Sequence, residues 1–246
     1  MTRATSDAHA RLVAACGQPG CPVCRCVADA SRRYLEALVH EQVTDVETRR
    51  RLRRAGGFCA GHAVMLQELP GAAFGAAILH EDLLRLVIER FEHQAAPAAS
   101  PRGWLARVTG EARAPASRAH RADAGACPAC VDAAGAAARA IDAMLVLALD
   151  DRLETTYEAS DGVCVPHMVL ALERGRQRPE TARLLDATLA KWRALREALA
   201  RFVAKHDHRN REPVAPQEAQ ALRRAPATLR GDLSGADPSA GGAAER

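Results

Sequence analysis

The sequence predicts an all-α fold, and three observations carry that prediction. Apolar residues recur at helical spacing over long stretches. No stretch sustains the period-2 alternation of β-branched residues that marks a strand. Prolines stand where helices can begin, at Pro22 and Pro128.

Residues 27–54 read as helical, with Tyr34, Leu35, Leu38 and Val39 on one stripe. The apolar stretch HAVMLQEL opens at His62, and an amphipathic helix follows over about 72–94 with Phe74, Ile78, Leu83, Leu86, Val87 and Phe91. Residues 95–126, rich in Ala, Pro, Arg and Ser, read as a linker in which Trp104 and Leu105 mark a short docked piece. The order then recurs. Residues 131–158 read as helical through Ile141, Met144, Leu145 and Leu149, HMVLALER opens at His167, and a long amphipathic helix spans about 180–205 with Leu184, Leu185, Leu189, Trp192, Leu195, Leu199 and Phe202. The expected organisation is a first helical unit at 1–94, the linker at 95–126, a second unit at 127–208 and a largely disordered tail at 209–246.

Composition narrows the class. A chain of 246 residues holds one large domain or two small ones. A formal charge of +4 is too small to imply nucleic acid by itself. Aromatic residues are only 3%, so the core must be built from Ala, Leu and Val, which bury less area per residue. Additional cross-linking would help such a core. MTRATSDAHARLVAACG has no uninterrupted apolar run, so no secretory signal is expected. The longest strongly apolar run, AMLVLAL at 143–149, is too short to span a bilayer. The expectation is a soluble, cytoplasmic protein, in which clustered cysteines point to metal or redox chemistry rather than disulfides.

The eight cysteines contain an internal repeat. CPVC (Cys21, Cys24) is followed after 34 residues by CAGH (Cys59, His62). CPAC (Cys127, Cys130) is followed after 33 residues by CVPH (Cys164, His167). A glycine, Gly57 or Gly162, stands two positions before each late cysteine. Matched proline, gap and Cys-x2-His make coincidence a poor explanation.

The spacing suits a metal. Cys-x2-Cys brings two sulfurs onto one tight turn, and Cys-x2-His puts two ligands on one helix face. Joined within each half, they form a Cys3His set, a usual tetrahedral zinc shell with Zn–S of about 2.3 Å and no open position. The expectation is two structural zincs per chain, each pinning one repeat through its own CPxC and CxxH. Zinc binding contributes roughly 10–16 kcal/mol in small peptides, against about 5–15 kcal/mol for the stability of a whole domain. The competing readings are plain buried core cysteines, a thioredoxin-like redox pair, which expects a βαβ setting that neither half offers, and an iron–sulfur cluster. For the last, Cys16, Cys21 and Cys24 have ferredoxin-like C-x4-C-x2-C spacing and Cys59 could complete the set. The second half carries Ala122 in place of Cys16 and Asp132 in place of Cys26, so Cys16 and Cys26 read as free thiols or accessory ligands.

CPVC, GFCAGH, CPAC, CVPH and the later KHDHRNREP together resemble a family of bacterial helical proteins of unknown function with paired CPxC and CxxH motifs, over about residues 15–230. That resemblance implies the two-unit helical architecture and no activity. It implies a tyrosine where His208 stands, and hence no special role for His208.

Two charged clusters remain. RRRLRR, Arg49 to Arg54, could neutralise phosphates, or could simply offset a helix dipole at a solvated C-terminus. KHDHRNRE, Lys205 to Glu212, could form a third metal locus or anion site, or a charged helix end. His40 and His80 read as surface or core contacts. No Ser–His–Asp order, phosphate-cradling loop or H-E-x-x-H occurs. The functional expectation is a non-enzymatic scaffold or regulatory module that binds a protein partner. The alternatives are an iron–sulfur or thiol redox protein and a nucleic-acid-binding regulator.

Overall fold

The computed structural model describes residues 3–95, 126–147, 151–207 and 209–231. The Trp104-Leu105 piece, Ala122, Leu149, His208 and the final SGADPSAGGAAER lie outside the described residues. Among the described residues the fold is all-α, with ten helices and no strand. In chain order they are α1 (Arg3–Cys16), α2 (Pro22–Glu41), α3 (Val46–Ala55), α4 (Ala60–Gln67), α5 (Ala73–Ala95), α6 (Pro128–Leu147), α7 (Asp151–Ala159), α8 (Val165–Arg174), α9 (Pro179–Lys205) and α10 (Pro216–Arg230). None is long and apolar enough to cross a membrane.

The chain divides into two compact units that interleave along the sequence. One comprises Met1–Ala30 with Ala133–Arg246, and the other Ser31–Asp132. The boundaries fall within α2 and in the first turns of α6.

In the discontinuous unit, Leu12, Val23, Ile141, Met144, Leu145, Val163 and Met168 are almost fully buried. Each large aliphatic side chain stabilises by about 1.5–3 kcal/mol on burial. Alanines 137, 140, 143 and 171 fill the space between them, as the aromatic-poor composition demands. Four cysteines, Cys16, Cys21, Cys24 and Cys164, belong to this core. Helix α1, not expected from the sequence, contributes Leu12 and Cys16.

In the continuous unit, Leu35, Leu38, Leu52, Leu66, Leu69 and Leu79 form the core with Met65 and small alanines. Asp45 caps α3 by accepting from the Thr48 amide at 2.7 Å, and Gly56 closes it in the left-handed region. Leu52 is therefore held inward, and its arginine neighbours point out. Arg53 donates twice to Asp82 of α5, at 2.8 and 2.7 Å, and Arg85 adds a bond at 3.0 Å. The Arg53 guanidinium, followed by that of Arg85, holds the Asp82 carboxyl down to about 2. Arg50 pairs with Glu47 at 2.6 Å, and Arg49 donates to the Val43 carbonyl at 3.0 Å. Much of the basic cluster is thus engaged within its own unit.

Part of the expected tail is helical. Pro216 opens α10, and the buried Glu218 carboxylate accepts from the Ala215 amide at 2.8 Å and from Lys205 at 3.0 Å. The contacts that hold α10 are a carboxylate and the small Ala221, while Leu222 and Leu229 are exposed, so no apolar stripe signals it. The KHDHRNRE stretch serves this junction as a turn. Lys205 also reaches the Pro213 carbonyl, His206 Nδ1 bonds the Phe202 carbonyl at 2.8 Å, and Asn210 donates to Ala204. Among the described residues it joins no metal-binding group.

Candidate metal centres

Each motif is set by its helix end. Pro22 and Pro128 are the first residues of α2 and α6, so Cys21 and Cys127 immediately precede those helices and Cys24 and Cys130 lie in their first turns. Cys59 and Cys164 hold equivalent N-cap positions before α4 and α8, with φ/ψ of −66/163° and −74/164°. Their carbonyls accept the first helical bonds, from Ala63 and Met168, both at 2.9 Å. Gly57 and Gly162 turn the chain into these caps at φ +105° and +82°, where a side chain is strained.

All eight predicted ligands converge, in two groups of four. Cys21, Cys24, Cys164 and His167 form one, and Cys59, His62, Cys127 and Cys130 the other, with the donor atoms of each group within 4.8 Å of one another. Each group lies inside one compact unit. The expected pairing is corrected here: each CPxC joins the CxxH of the other sequence repeat, not its own. Unequal helix lengths accompany this pairing. Helix α2 has 20 residues and carries the chain about 30 Å at 1.5 Å per residue, whereas α3 with 10 returns only about 15 Å. In the second half, α6 has 20 residues and α7 has 9, leaving the same shortfall.

The geometry suits one ion per group. In the discontinuous unit, His167 Nδ1 lies 3.2 Å from Cys164 Sγ, 3.4 Å from Cys24 Sγ and 3.6 Å from Cys21 Sγ, and Cys24 and Cys164 sulfurs are 3.7 Å apart. In the continuous unit, His62 Nδ1 lies 3.2, 3.4 and 3.8 Å from Cys59, Cys130 and Cys127, and Cys59 and Cys130 sulfurs are 3.6 Å apart. Tetrahedral bonds of about 2.3 Å to sulfur and 2.0–2.1 Å to nitrogen place sulfurs about 3.8 Å apart and sulfur and nitrogen about 3.6 Å apart.

The protonation pattern fits a cation-binding cluster. Burial raises the Cys21 thiol, but hydrogen bonds with Cys164, Cys24 and His167 outweigh it and hold Cys21 well below the usual range. Cys24 is driven far up by its bonds with Cys164 and Cys21. His167 is raised to about 9, because contacts with Cys164 and Cys21 overcome the opposing effect of burial. In the other group Cys59 is lowered, despite burial, by the His62 amide and neighbouring thiols, while burial and Cys59 push Cys130 up to about 12. Adjacent thiolates compete for protons; a divalent ion among them lets all three ionise.

Several supporting residues escaped the sequence reading. Ser31, buried and about 10 Å of helix rise beyond Cys24, has its Oγ 3.3 Å from His62 Nε2. Asp161 accepts from the Gly20 amide at 2.7 Å and from Arg224 at 2.8 Å, so it ties the turn before Cys21 to the loop before Cys164. That loop hangs from Tyr157, whose hydroxyl bonds Thr188 at 2.7 Å and accepts from the Val163 amide at 3.3 Å, and from Trp192, which donates to the Val163 carbonyl at 3.1 Å. Only long-range contacts reveal these roles. Cys16 is buried beside this group, and desolvation, then Cys26 and Cys21, pushes its thiol up to about 12, so it is a core thiol. Cys26 is partly buried against the same core, and neither joins a four-ligand group.

The two groups differ in cover. Cys21, Cys24 and Cys164 are 6, 3 and 1% exposed. Gly231, at the end of α10, closes over them: a Cβ there would lie 3.6 Å from Cys24 Sγ and 3.7 Å from Cys164 Sγ. Cys59 is exposed, and Cys127 and Cys130 are half-buried.

Fold and site together define an all-helical protein with two Cys/His groups able to hold metal ions. The chain belongs to DUF6062, a family of unknown function, whose model matches residues 14–236 and so includes both groups and α10. No curated protein and no solved structure matches it.

Proposed function

We propose that this protein is a zinc-stabilised helical scaffold, with one structural zinc in each Cys3His group, that acts by presenting helical surfaces to a protein partner in the cytoplasm. The observation that carries this reading is the set of donor distances, 3.2–3.8 Å, which fits four ligands around one tetrahedral ion. With four protein ligands the shell is closed, which is the pattern of a structural site rather than a catalytic one. An iron–sulfur cluster distributes its ligands over more than one iron, and donors drawn together within 4.8 Å favour a single ion instead. For the partner, support comes from α5, where Leu84, Ile88 and Phe91 are 60, 54 and 49% exposed. The nucleic-acid reading is weakened by the engagement of Arg49, Arg50 and Arg53 within their own unit.

The test is elemental analysis of untagged, anaerobically purified protein with a visible spectrum of the same sample. About two zincs per chain and no colour support the reading, one for each ligand group. Iron with sulfide and a brown colour overturns it.

A further inference from the structure

We infer that Cys59 and Cys130 are an oxidation site, at which peroxide forms a disulfide and releases the metal of the continuous unit while the other group stays intact. This inference rests on the zinc reading for the released ion, and its thiol chemistry stands independently. Three observations carry it. Cys59 is exposed, at the start of α4. Its Sγ is 3.6 Å from Cys130 Sγ, so a resolving sulfur is already in place. The second group has the same ligand types but its cysteines are at most 6% exposed, under Gly231. Reactivity toward peroxide requires both a thiolate and access. Ligation makes thiolates of the cysteines in both groups, so access separates them.

The step balances with one hydrogen peroxide. Cys59 Sγ attacks a peroxide oxygen, the O–O bond breaks, and the hydroxide that leaves takes a proton from the buffer to become water. The resulting Cys59 sulfenic acid is attacked by Cys130 Sγ. The S–O bond breaks, the S–S bond forms, and a second hydroxide leaves and takes a second proton from the buffer to become water. Two electrons pass from the two sulfurs to peroxide. His62 and Cys127 alone are left as ligands, too few for a structural zinc.

The experiment treats full-length native protein with increasing hydrogen peroxide at neutral pH. A chromogenic chelator reads zinc release, and non-reducing peptide mapping follows disulfides, after total zinc has been measured. The expected result is loss of half the zinc at about one peroxide per chain, a Cys59–Cys130 disulfide as the first product, and oxidation of Cys59 at least about ten-fold faster than of Cys164. Reduction with dithiothreitol should restore zinc binding. Equal release from both groups, or a first disulfide containing Cys21, Cys24 or Cys164, overturns the proposal. Absence of zinc from the purified protein defeats the zinc reading alone, because the first disulfide formed still decides between Cys59–Cys130 and any other pair.

Discussion

His62 turns Nδ1 toward three thiols and sets Nε2 3.3 Å from the hydroxyl of Ser31. With an ion on Nδ1, the ring proton sits on Nε2 and donates to Ser31 Oγ, which holds the imidazole in the ligating tautomer. Ser31→Ala is therefore expected to weaken zinc binding in the continuous unit about 10–100-fold. Chelator competition should find the affinity of the other group unchanged.

Gly57 and Gly162 are expected to respond unequally to alanine. Both sit at positive φ, which costs about 1–2 kcal/mol for a residue with a side chain. At Gly162 the new Cβ would also meet Lys191 Cδ at 2.5 Å, whereas at Gly57 the nearest contact is Leu83 at 3.2 Å. Thermal melts of the zinc-loaded variants should rank Gly162→Ala as the less stable.

Asp82 ties stability to acid pH. Its carboxyl is held near 2 by Arg53 and then Arg85, against about 3.9 when unfolded. A depressed folded pKa gives stability that is present above about pH 4 and lost as pH falls toward 2. Both arginines are roughly half in water, so the contribution is about 1–2 kcal/mol. The difference in unfolding free energy between wild type and Asp82→Asn should be constant above pH 5 and vanish near pH 2, even as both proteins lose metal in acid.

Tyr157→Phe removes the acceptor of the Val163 amide in a buried setting, while the Thr188 hydroxyl loses one contact and keeps its bond to the Leu184 carbonyl. Leaving such groups unsatisfied costs about 1–3 kcal/mol, and urea unfolding should show that loss. A retained midpoint would mean that water replaces the phenol there.

Helix α10 is expected to protect the thiols of its unit. In a chain ending at residue 215, Cys24 and Cys164 should label with a thiol reagent many times faster than in the full chain, because the cover from Gly231 is gone. Cys59 labelling should not change.

The helical class was legible in the sequence, and so were the eight residues that the structure gathers into two groups able to hold metal ions, because periodicity and a duplicated spacing are local patterns. Their pairing was not. Residue counts make the two halves look self-contained, and nothing local in either half says that Cys59 joins Cys127 and Cys130 rather than Cys21 and Cys24. Helix α10 was hidden for another reason: Glu218 and Ala221, its buried residues, carry no hydrophobic signature. Ser31 and Asp161 act on partners 31 and 141 positions away, which no local pattern announces.

The nesting of one ligand set inside the other also imposes an order on biosynthesis. The continuous unit has its last ligand at Cys130, whereas the unit that begins earlier in the chain waits for His167 and for Gly231 to cover it. At about 5–20 residues per second, a nascent chain holds Cys21 and Cys24 without their partners for roughly 7–30 s. Until Cys127 emerges, the motif residues present together are Cys21, Cys24, Cys59 and His62, which is the same-half set that the finished fold does not group. A nascent chain that captured an ion in that set would have to release it before the two groups of the finished fold could form.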